Sequence, residues 1–164
     1  MKQRMIILIV LAGIMGFIYY MSDRPVIESG EMSFVIDRWI CSHFVDGYNL
    51  LPLQEQEVMV YELDFWVRKS AHLAEYMLLG AALMSAVQLI GKRNRLKSGM
   101  IAAVTVGSLY AVLDEIHQYF VPGRACQLRD VIIDICGVTA GVLMVVCVLW
   151  VRKKHIDRKK RVSH

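Results

Sequence analysis

Arg68-Lys-Ser-Ala-His72-Leu-Ala-Glu75-Tyr76 runs without a break into the uncharged stretch Met77-Leu-Leu-Gly-Ala-Ala-Leu-Met-Ser-Ala-Val-Gln-Leu-Ile-Gly91. Fifteen residues are too few to cross a hydrocarbon layer, which takes roughly 20 residues of helix. A crossing helix must therefore draw Glu75 and His72 to membrane depth. Ionisable side chains there are expensive and usually face protein or water. The pattern recurs twice. Asp114-Glu115-Ile-His117-Gln118 follows the uncharged run Ser98–Leu113, and Arg129-Asp130-Val-Ile-Ile-Asp134 precedes Ile135–Val151.

A fourth uncharged run, Met5–Met21, completes the set. The chain has 164 residues, 56% of them apolar, and a mean hydropathy of +0.44. Soluble domains of this length seldom contain four uncharged runs of 15 to 17 residues. These runs predict an all-α, polytopic membrane helical bundle with four transmembrane helices, at about 5–21, 71–90, 98–117 and 132–151. They leave no room for a separate soluble domain, so residues 1–164 read as one membrane domain. Lys2 and Arg4 before the first run resemble a signal peptide, but Ile-Tyr-Tyr-Met-Ser is not a small-residue cleavage site, which favours an uncleaved anchor.

Orientation is read from Lys and Arg. With both termini inside, the inside segments hold 13 of these residues and the outside segments 6. The expected topology is N-in/C-in, with the polar ends of three spans converging on the outer face of the membrane. The net charge of +4 is then mostly topogenic. The basic tail from Arg152 to Arg161 suits anionic lipid. Nucleic acid is not an expected partner, because no aromatic interleaving accompanies the charge. Cys136 and Cys147 read as small apolar residues of the fourth span, whereas Cys41 and Cys126 fall outside, where a pairing is left open. No CxxC spacing or HExxH motif is present, so no cofactor is expected; a metal site built from His72, Glu75 and Asp114 is the weaker reading.

Residues 22–66 form the one long extramembrane segment. Ile36, Ile40 and Phe44 recur at helical spacing, as do Met59, Leu63 and Trp66. Two short amphipathic helices fit, packed on the helix ends or lying at the interface, with a ligand lid as the alternative. Gly91–Lys97 reads as a tight basic turn, and Val121-Pro122-Gly123-Arg124 as a turn between the last two spans.

Helical arithmetic places Arg68, His72, Glu75 and Leu79 on one face of the second span, and Asp130, Asp134, Gly137 and Gly141 on one face of the fourth. On the third, Asp114 and Gln118 share a face, Glu115 lies about 100° round from Asp114, and His117 is offset from Gln118 in the same way, which leaves a headgroup-facing orientation open. Gly137 and Gly141 form a GxxxG, which permits close backbone approach. The candidate ligand-binding set is Arg68, His72, Glu75, Asp114, Glu115, Gln118, Arg124, Asp130 and Asp134. Arginines bind phosphate or carboxylate in bidentate fashion. A site with both signs suits a zwitterionic or phosphorylated headgroup, a membrane lipid or lipid-linked envelope component. The bland alternative is an interhelical salt-bridge network that only staples the helices together.

The ordered series Arg68-Lys69-x-x-His72-x-x-Glu75-Tyr76, Asp114-Glu115-x-x-Gln118, Pro122-Gly123-Arg124 and Asp130-x-x-x-Asp134-x-x-Gly137 resembles the VanZ-like family over about residues 64–145. The resemblance implies a small multi-helix bacterial membrane protein. The family's founding member is associated with resistance to teicoplanin, with little protection against vancomycin. Some members carry asparagine where this chain has Asp134, which adds an ionisable group to the fourth helix here. On this reading the outer pocket binds an envelope component and affects susceptibility to teicoplanin-type lipoglycopeptides. Two alternatives belong to other classes. One is an intramembrane enzyme acting on a lipid headgroup, with Glu75 or Glu115 as general base helped by His72. The other is a carrier or channel, for which no inverted repeat is visible.

Overall fold

The computed structural model describes residues 2–90 and 96–162. They form α1 (Lys2–Ser22), α2 (Val26–Phe44), a 3-10 turn (Tyr48–Leu50), α3 (Leu53–Ile90), α4 (Leu96–Gln118) and α5 (Leu128–Val162). Among the described residues there is no strand. Four helices, α1, α3, α4 and α5, are long and apolar enough to cross a membrane. The molecule is an all-α, multi-pass membrane bundle. The basic turn expected from Gly91 lies mostly outside the described residues.

The bundle is built on α3 and α5. Lipid tails are as apolar as leucine, so membrane helices associate largely through close packing of small residues. Here the contact is backbone to backbone. A Cβ on Gly137 would fall 2.6 Å from Leu73 O, and one on Gly141 or Gly80 would meet Met77 O or Val138 O outright. Val138, wholly buried, also presses on α4, where a Cβ at Gly107 would lie 2.5 Å from its Cγ1. Ile18, Tyr76, Leu79, Met84, Ala111 and Val142 complete this core. Leucines and isoleucines such as Ile9, Leu78, Leu109 and Leu143 point outward, as side chains bathed by lipid do.

Hydrogen bonds to backbone tie α1 to α3 and α4. Arg4 Nε donates to Leu89 O at 3.0 Å, beside the C-terminus of α3. Tyr110 Oη donates to Met15 O at 2.7 Å from α4. The polar segments of α3, α4 and α5 therefore gather at the end of the bundle where α1 finishes, away from Lys2 and Arg4.

Two expectations for residues 22–66 are corrected. The second short helix does not exist as a separate element. It is the beginning of α3, which runs 38 residues, about 57 Å. The layer it crosses is about 30 Å thick, so α3 projects well beyond it. The physical reason is plain in the sequence: after Pro52 no proline or glycine interrupts the chain until Gly80. The second correction concerns which face of α2 packs. Ile36 and Phe44 are exposed, and so are Val35 and Trp39. The buried stripe is Ser33, Asp37 and Cys41, spaced four apart, set against Val60 and Asp64 of α3. Cys41 and Cys126 are both free thiols, Cys41 buried against Tyr48 and Val60 and Cys126 exposed, so no disulfide joins them.

Candidate functional site

A cavity of about 450 Å³ lies where α2 covers the polar end of the bundle. Of the nine residues singled out in the sequence, seven border it: Arg68, His72, Glu75, Asp114, Gln118, Arg124 and Asp130. Lys69 and Arg129 join them, and α2 contributes Ser29, Met32, Ser33 and Ile36. Glu115 and Asp134 do not reach the cavity. Both are wholly buried behind it.

Each side chain is placed by its helix. The steps of four and three along α3 carry Arg68, His72 and Glu75 down one face. Asp114 and Gln118 sit one turn apart at the end of α4, and Gln118 Nε2 donates to Asp114 Oδ2 at 3.2 Å. Gly123, with a positive φ of 78°, turns the chain back after α4, and glycine adopts that conformation without strain. The turn delivers Arg124, whose Nε donates to Arg24 O at 2.9 Å and whose Nη2 donates to Met21 O at 3.0 Å. These bonds satisfy carbonyls near the C-terminus of α1. Burial lowers the pKa of Arg124 from its ordinary value, opposed by Asp114.

Lys69 Nζ donates to both carboxylate oxygens of Asp130, at 2.5 and 2.7 Å, joining α3 to α5. Arg68 pairs with Asp64 on its own helix. Arg129 lies over the Phe65 ring, 5.4 Å from its centroid. Behind the cavity the polar groups are far less satisfied. Glu115 accepts a 2.9 Å hydrogen bond from Gln127 N through Oε2, and its Oε1 has no partner. Asp134 has none at either oxygen. His72 Nδ1 is 3.7 Å from Asp134 Oδ1, too far for a hydrogen bond. The buried Tyr76 hydroxyl also has no hydrogen-bond partner.

His117 Nε2 lies 3.1 Å from Asp23 Oδ1, and its ring is tilted against Tyr19, 4.8 Å between centroids. It therefore helps to hold α1 to α4.

A second polar cluster, at the joint of α2 and α3, has no counterpart in the reading of the sequence. Ser33 Oγ donates to Asp64 Oδ1 at 2.5 Å. Asp37, wholly buried, reaches no N–H or hydroxyl donor. Its close polar neighbour is the Asp64 carboxyl, so the contact between them requires a proton. Burial, then the Asp64 charge and their shared hydrogen bond, push the pKa of Asp37 up to about 6, with Arg68 opposing. The four-residue spacing of Ser33, Asp37 and Cys41 was the available signal, but a polar stripe on a helix outside the spans normally faces water.

The VanZ/LLP1 family model matches residues 7–150, most of the chain. No curated protein and no solved structure shows significant similarity to it.

Proposed function

The chain belongs to the VanZ/LLP1 family, and from that premise we propose that it is a membrane protein of the bacterial cell envelope whose cavity beneath α2 binds an envelope component. The observation that carries this reading is the cavity itself. Its volume falls in the range of about 300–1,000 Å³ usual for ligand sites. Its wall brings charges of both signs from three spans and from the turn after α4. A network that only stapled the helices together would pair those charges, yet Glu75 has no hydrogen-bond or ion-pair partner among the described residues.

The Lys and Arg distribution along the sequence supports an outward-facing cavity, since 13 of these residues fall in the segments expected inside and 6 in those expected outside. An outward site meets lipids and lipid-linked precursors before it meets soluble metabolites. Arg124 and Arg129 are the groups for anionic parts of such a ligand, and Glu75 and Asp114 orient them, while Arg68 and Asp130 are held by Asp64 and Lys69. The expected cellular effect is altered susceptibility to lipid-tailed glycopeptides.

The test is expression in a Gram-positive host, with teicoplanin and vancomycin susceptibility measured side by side for wild type, Glu75→Gln and Arg124→Ala at matched membrane levels. The reading expects a shift for teicoplanin that Glu75→Gln abolishes. Susceptibility unchanged by wild-type expression would remove the lipoglycopeptide role.

A further inference from the structure

Pairing off the charges around the cavity leaves a definite remainder. Lys69 and Asp130 neutralise each other, and so do Arg68 and Asp64. Four charges are left on the wall: Glu75 and Asp114 of one sign, Arg124 and Arg129 of the other. They feel one another, since Glu75 and Asp114 are both charged neighbours of Arg124. Yet neither carboxylate lies within 4.0 Å of a guanidinium nitrogen. Opposite charges that face across a gap without meeting leave room for a group that touches both.

We propose that the cavity recognises a zwitterionic headgroup carrying a phosphate and a primary ammonium, the ammonium between Glu75 and Asp114 and the phosphate against Arg124 and Arg129. This rests on reading the cavity as a ligand site and adds the chemistry of the ligand. A primary ammonium has three N–H donors and no acceptor, which suits two carboxylates, one of them unpartnered. Arg124 commits Nε and Nη2 to backbone carbonyls, so Nη1 is free for a phosphate oxygen. A purely anionic ligand leaves buried Asp114 and half-buried Glu75 beside it without compensation. A purely cationic one leaves half-buried Arg124 so, with Arg129 at the exposed rim. Either omission costs several-fold in affinity, because an unpaired charge out of water is expensive. The apolar part of the wall, with Met32, Ile36 and Phe65, accommodates the first carbons of a lipid backbone.

The experiment is isothermal titration of the full chain, purified in detergent, with short-chain phosphatidylethanolamine, phosphatidylglycerol and phosphatidylcholine, and with free phosphoethanolamine. The ethanolamine lipid should bind at least ten-fold tighter than the glycerol lipid, which lacks the ammonium. The choline lipid, whose ammonium has no N–H, should fall with the glycerol lipid. Glu75→Gln should erase the preference by weakening the ethanolamine lipid alone, and Arg129→Gln should weaken both. Asp114→Asn serves if Glu75→Gln fails to fold. Free phosphoethanolamine binding as tightly as its lipid supports the same chemistry from a soluble source. Equal binding of the ethanolamine and glycerol lipids overturns the zwitterion and leaves the cavity a ligand site. No binding by any of them overturns both readings.

Discussion

Lys69 Nζ reaches both carboxylate oxygens of Asp130, and this contact helps to tie α3 to α5 where both border the cavity. Lys69 retains 18% of its side-chain exposure and Asp130 8%. Removing one partner of a fully buried pair costs about 3–5 kcal/mol, and partial exposure here reduces that to about 1–3 kcal/mol. Lys69→Ala and Asp130→Ala should each lower the thermal unfolding midpoint in detergent. The exchanged pair Lys69→Asp with Asp130→Lys should recover at least half of the loss. Single variants that melt with the wild type would show that the contact contributes nothing.

The glycine contacts of α5 make a sharper stability prediction, because backbone atoms cannot step aside as side chains do. Overpacking typically costs about 1–3 kcal/mol, and Gly141→Ala should sit at or above the upper end because its new methyl meets Met77 O. Gly137→Ala, against Leu73 O, should follow closely. Gly13→Ala is the control, since nothing lies within 4 Å of a Cβ there. It should be neutral or slightly stabilising by helix propensity. Thermal unfolding of the three variants in one detergent checks the order, and equal effects at Gly13 and Gly141 would contradict the packing described.

The carboxyl pair between α2 and α3 predicts a dependence on pH. The groups facing Asp37 are Asp64 and Arg68 from α3, with Ser33 and Cys41 beside it on α2. Asp37 is raised from 3.8 to about 6 when α2 is docked, so the docked state favours the protonated acid. The stabilisation is complete below the ordinary carboxyl pKa and is lost as pH rises through about 6. Hydrogen exchange of α2 amides, corrected for intrinsic rates, should be slower at pH 5 than at pH 7.5. In Asp37→Asn the amide replaces the shared proton, and protection should be equal at both values. A wild type with the same protection at both would remove the shared proton from the account.

What the sequence made legible, and what it hid, divides along a physical line. The four spans were visible because burial in lipid demands long apolar runs. The faces carrying His72 and Glu75, Asp114 and Gln118, and Asp130 were visible because helical steps are fixed by geometry. Asp37 and Asp64 were not, because they are 27 positions apart and meet only once α2 folds back along α3. The exposure of Ile36 and Phe44 misleads for a related reason: an apolar side chain outside the spans signals burial in water but not beside a bilayer. Glu115 and Asp134 were grouped with the cavity by their sequence neighbours, yet a rotation of about 100° per residue is enough to turn Glu115 behind the wall that Asp114 forms. The continuity of α3 was available, in the absence of any helix breaker between Pro52 and Gly80.

Arg124 separates a positioning role from a binding role. Two of its guanidinium nitrogens hold Arg24 O and Met21 O at the end of α1, and hydrogen bonds to a charged group are each worth about 1.5–3 kcal/mol when buried. Partial exposure of Arg124 discounts that, so Arg124→Ala should destabilise the protein by about 1–2 kcal/mol. Its amides near residues 19–25 should exchange faster. Arg124→Lys keeps the charge but not the fork, so it should still loosen α1 while retaining part of the affinity for a phosphate. Arg129→Gln supplies the contrast. Arg129 touches Gln127 at 3.4 Å and lies over Phe65, with no bond to α1. It should weaken phosphate-bearing ligands and leave exchange at the end of α1 unchanged. If Arg129→Gln loosened α1 as much as Arg124→Ala does, the anchoring role assigned to the Arg124 fork would be lost.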